Sequence, residues 1–332
     1  MGVTRIHHLR GNIFFPLGNI EGCKVEHEHG LAIARRLGSA EAEARALGGL
    51  ADAAYAQGRM RTAFENFSAC VALSREHGFG RIEVANRSMI GFSRLYLNEA
   101  RQARVDGDEA VRAAALVGQP RAEMLGEFMG AFACCEMGEY DDMKGYLERS
   151  LRIARQLNAR RFEAQALEKQ ARILLEEGRR AEAVALLREA LSICRVAGTQ
   201  FCGPIVTSAL SRAVEDSVER EALLMEGAEM LARGAVGHNH LWYHRDAIEA
   251  FLGARDPKGM MLHVEALEAY ARAEPLPWST LFAARGRCLA AVLRGDFRDG
   301  LFEDLKRVRA ELVSAGFKPF LAEVDDALTA SR

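Results

Sequence analysis

Three histidines in the C-terminal half have a spacing that could bind a metal ion. They form the motif His238-x-His240-xxx-His244. On a helix, His240 and His244 would lie one turn apart on the same face, an arrangement that can hold a divalent cation. No nearby glutamate takes a general-base position like that of the HExxH motif. We therefore expect these histidines to cap and pack a helix, with no metal bound.

The same region contains residues that could form a small-molecule pocket. They combine aromatic faces with polar ring atoms, which can stack on a metabolite and hydrogen-bond to it. These residues are His238, His240, Trp242, Tyr243 and Trp278. They support an alternative function for the chain, a ligand sensor with its pocket near residues 238–278.

Residue patterns typical of enzymes are missing from the sequence. No nucleophile has a base and an orienting group at a defensible spacing, and no P-loop GxxxxGK[ST] is present. The seven cysteines are scattered and include no CxxC pair, which argues against both a disulfide framework and a structural zinc site. We expect a non-enzymatic protein with no cofactor and with reduced, buried thiols.

Charge and hydropathy exclude several classes of partner. The 332 residues include 44 basic and 46 acidic side chains, a net charge of −2, whereas nucleic-acid-binding proteins are normally basic. The longest apolar run, Phe128–Cys135, is far shorter than the roughly 20 residues of a membrane-spanning helix. The opening MGVTRIHHLRGN lacks the apolar stretch of a secretory signal. We expect a cytoplasmic protein that binds neither nucleic acid nor membrane.

Helix-favouring segments are separated by Gly or Asn at a constant interval of 40 residues. Both residue types tolerate the left-handed backbone found where a helix ends. One series is Gly18, Gly58, Asn98, Gly138 and Gly178, and the other is Gly38, Gly78, Gly118, Asn158 and Gly198. Residues 1–200 are therefore predicted to form five helical hairpins.

Side-chain size repeats with the same period. In the second unit, Ala51, Ala63, Phe67 and Cys70 give the order small, small, bulky, small at spacings of 12, 4 and 3. Small residues let neighbouring helices approach closely. This framework resembles that of the tetratricopeptide (TPR) repeat family, whose usual unit is shorter, at about 34 residues. The family's Trp near the start of the first helix and Pro at the end of the second are absent.

The TPR resemblance implies a concave groove lined by the first helix of each hairpin. Its centre would expose Met and Phe between charged flanks, a surface suited to a peptide or helix, unless these side chains belong partly to the core. The groove positions correspond here to Arg45, Gly49, Asp52, Ser88, Met89, Phe92, Phe128, Met129, Phe132, Glu168, Lys169 and Arg172. The Lys/Asn pairing of the family's carboxylate clamp is missing, so binding of a C-terminal carboxylate is not implied.

Residues 201–332 follow the repeat less strictly and carry a second resemblance. The stretches FCGP, GHNHLWYHRDAIEA and EPLPW are similar to the C-terminal repeat region of large bacterial signalling proteins. In those proteins a class III adenylate/guanylate cyclase domain and a STAND-type ATPase precede the helical repeats. The resemblance implies that this chain is the regulatory part of such a protein.

Together these patterns predict an all-α fold, a right-handed TPR-like superhelical solenoid of about eight helical hairpins. Residues 1–200 would form the regular part, and residues 201–332 would add degenerate hairpins and capping helices to the same continuous array. The expected function is a protein–protein interaction or scaffold module that holds a protein or peptide in its concave groove. A homo-oligomer is compatible with this function.

Overall fold

The computed structural model describes residues 2–15, 17–297 and 299–330, whose regular secondary structure is entirely helical. Within these residues, no helix is both long and apolar enough to cross a membrane. The first ten helices form five hairpins, and each helix packs on the next. Their bounds are α1 Gly2–Phe14, α2 Ile20–Leu37, α3 Ala40–Ala56, α4 Met60–Glu76, α5 Gly80–Leu95, α6 Ala100–Val117, α7 Pro120–Met137, α8 Tyr140–Gln156, α9 Arg160–Glu176 and α10 Arg180–Ala197.

Residues with left-handed backbone end these helices at the predicted 40-residue interval. Every member of the two Gly/Asn series has a positive φ, from 50° at Asn158 to 106° at Gly198. Asparagine can replace glycine at Asn98 and Asn158 because its short polar side chain tolerates this conformation. The predicted repeat of helical hairpins is therefore confirmed.

Small side chains allow the helices to stack closely. The predicted core set of the second unit, Ala51, Ala63, Phe67 and Cys70, is fully buried. In the third unit, Gly107 replaces the bulky residue, and a Cβ there would lie 3.0 Å from the carbonyl oxygen of Gly126. Helices α6 and α7 therefore pack almost backbone to backbone.

Further helices continue the array beyond α10. Helix α11 packs on both α10 and α13, and α14 packs on both α13 and α15. Their bounds are α11 Gly203–Ala213, α12 Ser217–Ala232, α13 His238–Gly253, α14 Pro257–Ala271, α15 Pro277–Leu293, α16 Leu301–Ala315 and α17 Ala322–Ala330. A short 3₁₀ turn, Lys318–Phe320, precedes α17.

The C-terminal helices fold back onto the ends of the N-terminal hairpins. The backbone N–H of Gly237 donates to the carbonyl of Ala56 (2.8 Å), and that of Trp278 donates to the carbonyl of Tyr96 (3.2 Å). The Glu274 carboxylate accepts hydrogen bonds at the first turn of α4, where a negative charge is favourable. The array thus curves until its second half covers part of its first half.

Helix α1 leaves an apolar face uncovered. Val3, Ile6, Leu9 and Ile13 are each 49–58% exposed and recur every three or four residues, which places them on one side of the helix. In the second unit, the position equivalent to Ile6 is Ala46, which is buried near α2 of the preceding hairpin. Among the described residues, no helix packs on this face of α1.

Candidate functional site

An open groove of about 430 Å³ crosses the first helices of the first three hairpins. Its lining comes from α1, α3 and α5. The lining residues are His8, Asn12, Arg45, Gly48, Gly49, Asp52, Arg81, Ile82, Ala85 and Asn86. The structure therefore brings together three positions that the TPR resemblance implied for a groove, Arg45, Gly49 and Asp52.

Two glycines of α3 keep the groove deep. A Cβ at Gly48 would lie 2.8 Å from Oδ1 of Asn86, and a Cβ at Gly49 would lie 2.2 Å from the His27 ring. Asn86 is held in place because its Nδ2 donates to the carbonyl of Ile82 (2.8 Å). The glycines thus give room to polar groups of neighbouring helices, where larger side chains would fill the groove.

His27 of α2 is buried beneath Gly49, one of the residues that line the groove. Its ring passes between Gly11 of α1 and Gly49 of α3, and the residue is 1% exposed. Neither ring nitrogen has a hydrogen-bond partner among the described residues. Burial, with a smaller contribution from His8, lowers the pKa of His27 to about 4. A neutral imidazole with an unused donor and acceptor therefore lies beneath the groove.

The charged residues of the groove are unequally paired. Arg45 forms an ion pair with Glu41 (2.9 Å), whereas no ion pair or hydrogen bond joins Arg81 or Asp52 to another part of the described chain. Burial raises the pKa of Asp52 to about 7, although the positive charge of Arg121 opposes the shift. Near neutral pH, Asp52 carries only part of its negative charge, and the arginines dominate the groove.

The predicted apolar centre of the groove is not open in the structure. Ser88, Phe92, Phe128, Met129 and Phe132 are buried, and Met89 is half-buried. The C-terminal helices cover part of this surface, since the Phe132 ring lies edge-on to the Trp242 ring of α13, with centroids 5.3 Å apart. Met129 instead packs against Gly91 of α5 and Gly107 of α6. The expectation of an exposed Met and Phe surface is therefore corrected, because α13 covers some of these side chains and others pack between the hairpins.

The charged flank predicted on α9 is likewise buried against α13. Both Asp246 carboxylate oxygens accept hydrogen bonds from Arg172, at 2.5 and 3.1 Å. The Arg245 guanidinium contacts the same carboxylate and also donates to Glu136 of α7 (2.5 Å). Together the two arginines hold the pKa of Asp246 well below its usual range, against the opposing effect of burial. These ion pairs join three helices and do not face an open groove.

Lys169 completes this buried network. Its Nζ lies 3.8 Å from the centre of the Trp242 ring and 4.2 Å from that of Phe132, within the range of cation–π attraction. The Glu168 carboxylate approaches the same ammonium to 3.0 Å. Burial lowers the pKa of Lys169. Like Arg172, Lys169 stabilises the contact between the halves and is not exposed to a partner.

The residues predicted for a small-molecule pocket are packed against protein atoms. Four of the five form hydrogen bonds within the chain: Trp242 with Tyr96, Trp278 with Glu136, His238 with the carbonyl of Phe201, and Tyr243 with the carbonyl of Leu224. The fifth, His240, stacks on the Tyr270 ring. A depression of about 170 Å³ between α14 and α15 includes none of the five. The predicted open pocket formed by these residues is therefore corrected to a packed interface.

The three histidines of the motif do not converge on one point. His238 bonds to the backbone, His240 stacks on Tyr270, and Nδ1 of His244 lies 3.1 Å from Nδ1 of His263. Within the part of the chain that the structure describes, no group of three or more His, Cys, Asp or Glu side chains could hold a metal ion. The histidines instead help α13 pack against its neighbours.

Comparisons with known proteins agree with this architecture. A tetratricopeptide-repeat family profile matches residues 121–195, which lie in α7–α10. No curated protein matches the chain. The crystal structure of the apo form of RapI aligns over 88% of this chain and 98% of RapI, with 8% identity and a TM-score of 0.56. That of a Rap protein complexed with Competence and Sporulation Factor aligns over 99% of both chains, with 12% identity and a TM-score of 0.48.

The family match and the RapI alignment lead to one structural conclusion. The repeated hairpins form a TPR-like helical solenoid, as the sequence predicted. At 8% identity, the RapI alignment shows a shared fold and carries no information about ligands.

Proposed function

We propose that this chain is a non-enzymatic protein-interaction module that holds an extended segment of a partner protein in the groove across α1, α3 and α5. One observation carries the proposal. This part of the concave surface is open, whereas its continuation over α7 and α9 is covered by the chain's own C-terminal helices. TPR-like solenoids commonly use such concave surfaces for binding.

The size of the groove suits a short peptide segment. Packed helices lie about 8–10 Å apart, so the distance from α1 to α5 is roughly 20 Å. An extended chain rises about 3.3 Å per residue, so about six residues would span the groove. Exposed polar groups of Asn12, Arg45 and Arg81 can bond to the backbone or side chains of such a segment.

A peptide display selection tests this proposal, because it needs no partner to be named in advance. Random peptides are selected on the full chain, and the affinity of the enriched peptides is measured by fluorescence anisotropy. Ala85→Trp fills the groove from an exposed position of α5, and Ala115→Trp is the matched control at an exposed position of α6.

We expect Ala85→Trp to weaken binding at least tenfold and Ala115→Trp to leave it unchanged. Equal binding by the wild type and Ala85→Trp would contradict the proposal. Failure of the selection to enrich any binding peptide would also count against it.

A biological context can be proposed separately. The resemblance of FCGP, GHNHLWYHRDAIEA and EPLPW to bacterial cyclase–ATPase proteins supports a role as the regulatory part of a signalling protein. The coding sequence upstream of Met1 tests this role. An in-frame cyclase or ATPase domain would support it, and an unrelated, separately transcribed neighbour would contradict it.

A further inference from the structure

The charges in the open groove indicate what kind of segment it binds. We infer that the bound segment is acidic and that its carboxylates contact Arg45 and Arg81. This inference rests on the proposed function and adds a chemical class of partner to it.

The two arginines stand on neighbouring helices at the rim of the groove. Arg45 and Ala85 are 40 residues apart and therefore occupy equivalent positions of α3 and α5. Arg81 lies one turn before Ala85, so both guanidinium groups border the same opening. Guanidinium groups bind carboxylates through paired, charge-assisted hydrogen bonds. Arg81 has no acidic partner among the described residues and is free to make such a contact.

The remaining charges favour a negative ligand. Arg121 of α7 does not line the groove, and its guanidinium lies 5.5 Å from the centre of the Phe162 ring of α9, but its positive charge lowers the pKa of Asp52. Glu41 offsets part of the charge of Arg45. The groove lining itself holds two arginines, Arg45 and Arg81, and one carboxylate, Asp52. With the charges of Arg121 and Glu41 added, the excess is one positive charge when Asp52 is ionised and two when it is protonated.

Asp52 makes the preference depend on pH. It lies on the same face of α3 as Arg45, seven residues or about 10 Å further along the helix. An ionised Asp52 repels an acidic ligand, whereas a protonated Asp52 can donate a hydrogen bond to one. Binding should therefore tighten as the pH falls through 7.

Other groups that face Asp52 keep their charge near pH 7. Burial, with a smaller contribution from Arg45, lowers the pKa of His8 on α1, which favours the neutral imidazole. Burial raises the pKa of the Cys23 thiol on α2 to about 11 and that of the Cys70 thiol on α4 to about 12. Arginines 45, 81 and 121 stay positive. The part of any change in affinity between pH 6 and pH 8 that Asp52→Asn abolishes is therefore assigned to Asp52.

Three labelled peptides of twelve residues test the inference on the full chain. They alternate Ala with Glu, Gln or Lys, and their affinities are measured by fluorescence anisotropy at pH 6 and pH 8. We expect the Glu peptide to bind at least tenfold more tightly than the Gln peptide and the Lys peptide to bind least. Arg81→Gln should weaken Glu-peptide binding about tenfold, the effect of one charge-assisted hydrogen bond. Arg36→Gln, at an exposed arginine of α2, is the control and should leave the affinity for the Glu peptide unchanged.

The Asp52→Asn variant tests the pH dependence of binding. It should bind the Glu peptide equally at pH 6 and pH 8, whereas the wild type should bind more weakly at pH 8. Equal affinities for the Glu and Gln peptides, or equal losses in Arg81→Gln and Arg36→Gln, would overturn the inference. If display-selected peptides then still bind and are blocked by Ala85→Trp, the proposed function stands and only the acidic class is wrong.

Discussion

His27 occupies a repeat position that other hairpins fill with Phe67, Leu147 or Leu187. The apolar residues complete the packing between successive first helices. An imidazole at this position leaves two buried ring nitrogens without partners, and each such group costs about 1–3 kcal/mol. Residues that lower stability in this way are often kept for function. We therefore connect His27 with the groove directly above it.

The variant His27→Leu tests this connection. Leucine removes both unpartnered nitrogens, so the free energy of unfolding, measured by urea denaturation, should rise by about 2 kcal/mol or more. Binding of the display-selected peptide should weaken because the branched leucine side chain does not fit the space of the flat imidazole beneath Gly49, which lines the groove. A less stable variant with unchanged binding would contradict the role assigned to His27.

Single residues show how much of the site could be predicted from the sequence. The TPR resemblance placed Arg45 and Asp52 on the groove. His8 and Asn12 were not predicted, although they lie one 40-residue repeat before Gly48 and Asp52. The same resemblance failed at Phe132, because a repeat position fixes where a residue lies on its helix and not whether a distant helix covers it. The covering contact comes from Trp242 of α13, more than 100 residues later in the chain.

Helix α13 is the element that closes the structure. Asp246 receives hydrogen bonds from Arg172 and Arg245, and Arg212 approaches it to 3.4 Å. Its carboxylate is fully buried, so its charge is balanced only by these arginines. No local pattern predicts the contacts with Arg172 and Arg212, because these arginines lie on α9 and α11, 74 and 34 residues away in the sequence.

The variant Asp246→Asn should therefore be strongly destabilised. Removing one partner of a buried ion pair typically costs about 3–5 kcal/mol, because the other charge stays buried. Asp325→Asn is the matched control, since Asp325 pairs with Arg309 and both side chains are 46% exposed. We expect about 0–1 kcal/mol for that exposed pair. Similar losses in the two variants, measured by urea denaturation, would contradict the account of α13.

Helices α13 and α14 also make the stability of the protein depend on pH. Burial lowers the pKa of His238, His240 and His263 to about 4 and that of His244 to about 3. These groups regain an ordinary pKa of about 6.5 on unfolding. Between these values the unfolded chain binds more protons, so acidification favours unfolding. Between about pH 7 and pH 4 the folded chain binds an extra proton at Asp52, so acidification stabilises the folded state there. This effect on the free energy of unfolding cancels that of roughly one histidine.

The free energy of unfolding should therefore fall between pH 6.5 and pH 5. Each of these histidines contributes at most about 1.4 kcal/mol per pH unit. His240→Gln removes one of these titrating groups, so the slope of the free energy of unfolding against pH should decrease by up to about 1.4 kcal/mol per pH unit. Constant stability over this range, measured by urea denaturation at each pH, would show that these imidazoles are not held neutral in the folded chain.

The whole molecule is defined by the contact between its two halves. At Gly237 the backbone of α13 approaches the turn after α3 so closely that a Cβ would lie 2.2 Å from the Gly58 nitrogen. The sequence predicted the hairpins but not this closure. Closure depends on the small rotation between successive repeats, which accumulates over the array and cannot be inferred from any one repeat.

Two glycines of the same helix region provide a matched test of closure. Gly237→Ala should destabilise the protein by about 1–3 kcal/mol, because backbone atoms would have to move. Gly253→Ala, at the end of α13, meets nothing within 4 Å and should be neutral or slightly stabilising. Equal thermal unfolding temperatures for the two variants would contradict the close contact between the halves.

The central claim is that the open groove over α1, α3 and α5 is the binding site. Photocrosslinking tests it most directly, with a display-selected peptide that carries a benzophenone group and mass spectrometry to locate the attachment. We predict attachment within residues 8–12, 45–52 or 81–86, and its loss in Ala85→Trp. Attachment within α13–α17 or on the second helices of the hairpins would contradict the claim.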